Sequence, residues 1–344
     1  MSNLSSFEKI ERALNLELLE RESLPVIPQL TYASAAWNQI KISEALNDTN
    51  KQFACLKNAY TECKYDGIYA QWEGSFTLLA NSLGAPIDIA EDRPPSIIKP
   101  IIFSSEDIEA IKDVKLDNLS GLGRIPVNLN LIKLFKTKKA EIPLLNYVPG
   151  PFTLAGLMYG LDKFMINIYD NPKFIDLLTT FCSQASYHFG LAKIEAGIDI
   201  ITIAEPSGSS DLISPKHFEK FCLNPLRNLI GQFKREKIHV GLHICGYTEP
   251  ILQLMNQTGA EFLELDSRVD LQRARELIKN TICIVGNIDT SILTSKSPKE
   301  IQKLCMDCTK KLGGYGHILS SGCEIPFNTP IENIKAMVNW YKKL

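Results

Sequence analysis

Eight short runs rich in β-branched and apolar residues punctuate this chain: "PVIPQL", "DGIYAQ", "IPLLNYVPG", "IDIITIAEP", "IHVGLHICG", "EFLELD", "CIVGNID" and "GHILSSGCEIP". Between them lie longer amphipathic stretches. The clearest is "NPKFIDLLTTFCSQASYHFGLAKIEAG", with apolar residues at spacings of three and four and a closing glycine. A strand followed by a helix, repeated through the chain, predicts a parallel sheet closed on itself, the (β/α)8 TIM barrel of the α/β class. An open doubly wound sheet is the alternative, and against it no G-x-G-x-x-G opens the first helix. At 344 residues the chain is long for one domain, yet barrels of this class reach that size. No repeat, low-complexity tract or Gly/Ser linker divides it. The expectation is one barrel domain over residues 1–344, with residues 1–22 forming an N-terminal helix packed on it.

Charge and composition exclude several partners. A formal charge of −2 and a pI near 6.3 supply no basic field for nucleic acid or anionic lipid. The opening "MSNLSSFEKIERALNLELLERESLP" is charged and helix-like where a signal peptide needs an apolar core, and no apolar run approaches the roughly 20 residues of a membrane span. A cytoplasmic protein without nucleic-acid or membrane partners is expected. The 9 cysteines then read as reduced thiols, core fillers or metal ligands, not as a disulfide framework. Cys55, Cys63, Cys182, Cys222 and Cys283 sit among apolar neighbours. Cys305 and Cys308 have C-x-x-C spacing but lie inside a helical pattern with no second pair at ligand spacing, so they read as core or surface residues.

A barrel places its chemistry at the C-terminal ends of its strands, and the unusual residues stand there. His243 and Cys245 close one run, Asp266 closes "EFLELD", Asn287 and Asp289 close "CIVGNID", and Cys323 follows "GHILSSG". On extended backbone His243 and Cys245, two apart, point the same way, and Cys323 can reach the same mouth. A lone H-x-C is ordinarily a hydrogen-bonded histidine beside a core cysteine; Cys323 at another strand end tips the balance towards metal. One imidazole and two thiolates make a three-ligand zinc site with an open fourth position, as catalytic sites keep. Gly246 and Gly322 would let backbone close around the ion. His188, His217, His239 and His317 have no partner pattern and read as structural or surface residues. Two thiolates cancel the charge of Zn2+, which makes it a poor activator of water but suits a substrate thiol, whose sulfur stays electron-rich after losing its proton. Alkyl transfer onto sulfur is the chemistry expected.

Four segments, "LHICGYTEPILQLMNQTGAEFLELD", "GHILSSGCEIPFNTPIENIKAMV", "VPGPFTLAGLMYG" and "IAEPSGSSDLISPKHFEKF", resemble the uroporphyrinogen decarboxylase superfamily, in particular its methylcobalamin:coenzyme M methyltransferase branch. The similarity covers nearly the whole chain. H-x-C followed by a distant Cys is that branch's zinc motif, whereas "GPFTLAG" marks only the superfamily. The resemblance implies a (β/α)8 barrel with His243, Cys245 and Cys323 as zinc ligands. It also implies a methyltransferase that moves a methyl group from a methylated corrinoid such as methylcobalamin, carried on a corrinoid protein, to a small thiol acceptor such as coenzyme M. Asp266 matches the position where that branch can offer a carboxylate as fourth ligand; the alternative is an aspartate capping the next helix. Glu205, where relatives often have Asp, together with Ser207, Asn287 and Asp289, is a candidate for lining the substrate pocket.

Two other readings compete: decarboxylation of a tetrapyrrole, and a non-catalytic zinc- or corrinoid-binding partner. The decarboxylases carry an R-Q-A-G-R segment near the first strand to grip the carboxylates of their substrate. Here "PVIPQLTYASAAW" holds no arginine, and between Glu22 and Gly123 the only arginine is Arg93. Decarboxylation also leaves three metal ligands without a use. A corrinoid presented by a partner would need an open barrel mouth.

Overall fold

Seven parallel strands, each hydrogen-bonded to the next, form the sheet of the computed structural model, which describes residues 4–116, 118–138 and 141–342. In chain order the strands are β1 (Ile68–Tyr69), β2 (Ile87–Asp88), β3 (Ser96–Ile97), β4 (Leu144–Pro149), β5 (Ile200–Ala204), β6 (His239–Ile244), β7 (Phe262–Leu265), β8 (Cys283–Ile288) and β9 (His317–Ser321). The sheet runs β1-β4-β5-β6-β7-β8-β9, while β2 and β3 make a separate antiparallel ribbon. Helices intervene between successive strands and cover the outer face. That is why β4, β5 and β9 are buried at every residue, as a sheet covered on both faces requires.

The edges β1 and β9 are joined by residues 25–29, within the "PVIPQL" run of residues 25–30. On one side Ile27 N–H donates to Leu319 O and Leu319 N–H to Pro25 O, both at 2.9 Å. On the other, Asp66 N–H donates to Val26 O at 2.8 Å, and Val26 N–H to the Asp66 carboxylate at 2.9 Å. The segment was expected as a full strand but pairs through one bridge, Val26 with Leu319. Pro25 and Pro28 have no N–H to give a ladder. With this irregular eighth member the sheet closes into the expected (β/α)8 barrel.

The expected helix over 171–197 spans Pro172–Ala196; the Asn171 side chain caps Phe174 N–H, Pro172 opens the first turn and Gly197 closes it at φ 103. The expected N-terminal helix is shorter than residues 1–22. It covers Ser6–Leu14, set by a capping box between Ser5 and Glu8. It stops where Leu16 turns to φ 58, after which Leu19 N–H bonds to Gly314 O. Cys305 and Cys308 are buried on the helix Pro298–Leu312, and all nine cysteines are free. Among the described residues no helix is long and apolar enough to cross a membrane.

Candidate metal centre

His243 is the penultimate residue of β6, pointing into the barrel, and Cys245 lies one step past the strand end; Cys323 sits two residues past β9. The structure brings the three together. His243 Nε2 is 2.8 Å from Cys245 Sγ, and the two sulfurs are 3.3 Å apart. All three ligand atoms lie within 4.8 Å of one another, the one such group of metal-binding side chains among the described residues. His243 is buried and the cysteines are partly exposed, so the group opens towards solvent on its sulfur side.

Electrostatics favour a cation here. The hydrogen bond between the sulfurs pulls Cys323 below the ordinary thiol range, and the same bond, reinforced by burial, pushes Cys245 above it. Burial pulls His243 down, but the Cys323 sulfur and the nearby Glu264 and Asp266 carboxylates more than offset this, leaving its pKa raised. A cysteine sulfur and two acidic side chains thus converge on one imidazole. One N and two S donors gathered within 4.8 Å and facing the barrel mouth make a donor set that suits a thiophilic ion such as Zn2+, with a fourth position left over.

The other candidate residues are occupied by the fold. Asp266 Oδ2 accepts Gly246 N–H at 2.9 Å and Oδ1 accepts Arg268 N–H at 2.9 Å, while the cap of the next helix, Leu271–Ile278, is Asp270. Asn287 Nδ2 donates to Asp266 O (2.9 Å) and Val269 O (2.7 Å), pinning the same turn. Asp289 caps the helix Thr290–Ser295 through Ser291 N–H at 2.8 Å. Ser207 is buried, and its N–H is bonded to Thr153 Oγ1 at 3.0 Å. Glu205 is bound to the start of a neighbouring helix. It is 0% exposed, and its carboxylate accepts the N–H groups of Phe152 and Thr153 at the start of the helix Pro151–Tyr159. From just past the end of β5 it therefore supplies the cap that Gly150 cannot, while burial pushes its pKa up to about 7. The glycines beside the cysteines also serve the fold: Gly246 has φ 84 with Asp211 packed against it, and a Cβ on Gly322 would lie 2.6 Å from Ser267 N.

Sequence reasoning passed over Glu264, in the middle of β7. It is 1% exposed and accepts hydrogen bonds from Tyr69 (2.8 Å), Tyr147 (2.6 Å) and Thr202 (3.0 Å), and its Oε2 lies 3.4 Å from His243 Nδ1. The available signal was a glutamate flanked by leucines at an inward position of an apolar strand. Glu324 was also passed over. Next to Cys323, it accepts Thr31 N–H at 2.7 Å and Tyr32 N–H at 3.2 Å, tying the cysteine's loop to the helix Tyr32–Trp37, and burial pushes its pKa to about 8.

A closed parallel barrel carrying a His-Cys-Cys cluster at its strand ends defines the class of protein. The uroporphyrinogen decarboxylase (URO-D) family profile matches residues 6–344, and the chain belongs to that family. Within the family, methylcobamide:CoM methyltransferase MtbA of Methanosarcina acetivorans is 28% identical over 352 residues, covering 99% of this chain and 99% of that protein. A uroporphyrinogen decarboxylase of Trichodesmium erythraeum is 25% identical over 364 residues, covering 100% of this chain and 98% of that protein. The solved structure of a methyltransferase from Methanosarcina mazei superimposes with a TM-score of 0.88 at 23% identity, covering 98% of each chain, which shows the shared fold.

Proposed function

We propose that this protein is a methyltransferase that moves a methyl group from a methylated corrinoid, brought by a corrinoid protein, to the sulfur of a small thiol such as coenzyme M, with Zn2+ held by His243, Cys245 and Cys323. The observation that carries the reading is the convergence of one imidazole and two sulfurs within 4.8 Å at the barrel mouth. The names of full-length relatives, methylcobamide:CoM methyltransferases, support it. Bound there, Zn2+ would lower the pKa of an incoming thiol and hold its sulfur over the mouth.

The protein's share is charge and alignment. Two cysteine sulfurs keep the site electron-rich, so the acceptor sulfur is not drained of nucleophilicity. His243 is fixed at a strand end, and the two cysteine loops are fixed by Asp266 and Glu324. The acceptor approaches from the exposed side, where a planar corrinoid can be presented in line. The sulfur gains the methyl group, the corrinoid keeps the bonding electron pair, and the thiol proton passes to solvent.

Tetrapyrrole decarboxylation finds less support, because three arginines that could grip a carboxylate already hold acidic side chains of the chain itself. Arg124 is bound through two nitrogens to Glu73 at 2.8 and 2.6 Å, Arg268 is paired with Asp211 at 2.6 Å, and Arg93 is paired with Asp88 at the surface. The test is turnover of methylcobalamin with a panel of thiols by metal-loaded protein, followed as S-methyl product. Loss of turnover on metal removal and its return with Zn2+ are expected. Full turnover without metal, or decarboxylation of a porphyrinogen in its place, sinks the proposal.

A further inference from the structure

We infer that Glu264 is the positioning residue of the metal centre: locked by three hydroxyls from three other strands, it fixes His243 in the tautomer and orientation that present Nε2 to a cation. The inference rests on the metal-centre reading proposed above.

Five neighbouring strands meet at this one carboxylate. Tyr69 comes from β1, Tyr147 from β4, Thr202 from β5, His243 from β6 and Glu264 itself from β7. Oε1 accepts the hydroxyls of Tyr69 at 2.8 Å and Thr202 at 3.0 Å; Oε2 accepts that of Tyr147 at 2.6 Å. The two tyrosine rings stack with centroids 5.0 Å apart and 6° between planes, and the Tyr147 ring meets His243 edge-on at 5.9 Å. The carboxylate cannot swing away without breaking three buried hydrogen bonds, each expensive to leave unmade.

A neutral imidazole has one proton for two nitrogens. Nε2 faces the sulfurs, 2.8 Å from Cys245 Sγ, and must keep its lone pair to bind a metal, so the proton belongs on Nδ1. Nδ1 is buried and makes no ordinary hydrogen bond; the polar atom facing it is Glu264 Oε2 at 3.4 Å. With the hydroxyls donating, the carboxylate is an acceptor on every side and can only receive the Nδ1 proton. The opposite tautomer would aim a lone pair at a buried negative charge. The ordering runs hydroxyls, carboxylate and imidazole, and from there to the cation that Nε2 would hold.

The experiment uses the purified full chain and Zn2+ and Co2+ as probes. Chelator competition gives Zn2+ affinity, the Co2+ absorption spectrum reports thiolate ligation, and long-range 1H–15N NMR of histidine reports which His243 nitrogen carries the proton. Glu264→Gln should weaken Zn2+ binding by about 10- to 100-fold while the Co2+–thiolate bands persist and the Nδ1-protonated pattern is lost. Tyr147→Phe should shift both readouts in the same direction by less. If folded Glu264→Gln and Tyr147→Phe bind Zn2+ as the unmodified protein does and keep the Nδ1–H pattern, the inference is wrong. Should Glu264→Gln fail to fold, Tyr147→Phe decides by the same criterion. Cys245→Ser separates the two levels: if it abolishes binding while Glu264→Gln changes nothing, the metal centre stands and only this inference falls; if the unmodified protein binds no metal, both fall.

Discussion

Gly150 rests directly on Glu205: a methyl group at Gly150 would occupy the space of the Glu205 carboxylate. The contact joins the end of β4 to the end of β5 and seats the first turn of the helix Pro151–Tyr159 on a buried acid. Gly150→Ala should therefore destabilise the protein by about 1–3 kcal/mol, the usual cost of overpacking a core. Gly231→Ala is the internal control. It lies in the helix Asn224–Arg235 with nothing within 4 Å of a new Cβ, and should stabilise by about 0.5–1 kcal/mol. Urea unfolding of the two variants measures both; equal effects would dismiss the steric account.

The same acid predicts a pH dependence. Burial raises Glu205 from 4.5 to about 7, so the folded protein holds this proton over a range in which the unfolded chain has lost it. Stability attributable to Glu205 is thus greatest below 4.5 and declines as pH rises towards 7, by about 3 kcal/mol in all. Glu205→Gln should flatten that part of the stability profile while still accepting a helix N–H. An unchanged slope in the variant would place the titration elsewhere.

At the opposite end of the barrel, His239 ties the N-terminal helix down. Its Nε2 is 3.1 Å from Glu11 and its Nδ1 2.8 Å from Glu261. The Glu261 hydrogen bond, with the charges of Glu261 and Glu11, outweighs partial burial and raises the His239 pKa above 6.5. The tether is fully present below 6.5 and is lost as pH climbs through the raised value. Amide exchange of Ser6–Leu14, corrected for its intrinsic pH dependence, should quicken across that interval, and His239→Gln should abolish the change.

Cys245→Ser or Cys323→Ser should remove stoichiometric zinc and methyl transfer with little loss of fold, because both cysteines are only partly buried at the rim. Elemental analysis beside a thermal melt checks this. Collapse of the fold on metal removal would assign the ion a structural task instead.

Thiol binding should release about one proton per site at pH values below the free thiol pKa near 8.5. A thioether analogue has no such proton to lose, so it should release none and bind weakly. Calorimetry in buffers of different ionisation enthalpy reads this directly. Tight thiol binding without proton release would leave the metal centre in place and remove thiol activation.

Much of this molecule is local and therefore legible in the chain. The alternation of apolar runs and 3.6-period segments marks the strands β4 to β9 and the long helix Pro172–Ala196. His243 and Cys245 declare themselves because two ligand types end a strand together, and Cys323 because it follows another. What the chain alone did not disclose is which polar groups meet across the closed barrel. Glu264 lies 195 positions from Tyr69 and 117 from Tyr147, yet hydrogen-bonds to both. Glu205 is 53 positions from the helix start it caps. Periodicity says which way a side chain faces; it does not say what stands opposite, since that depends on strand order and on closure through residues 25–29. Burying a carboxylate is tolerable only with its donors already in place, and those donors are assembled by the ring of strands. The ligands of the candidate site were written in the sequence, and the carboxylate floor beneath them was decided by the tertiary structure.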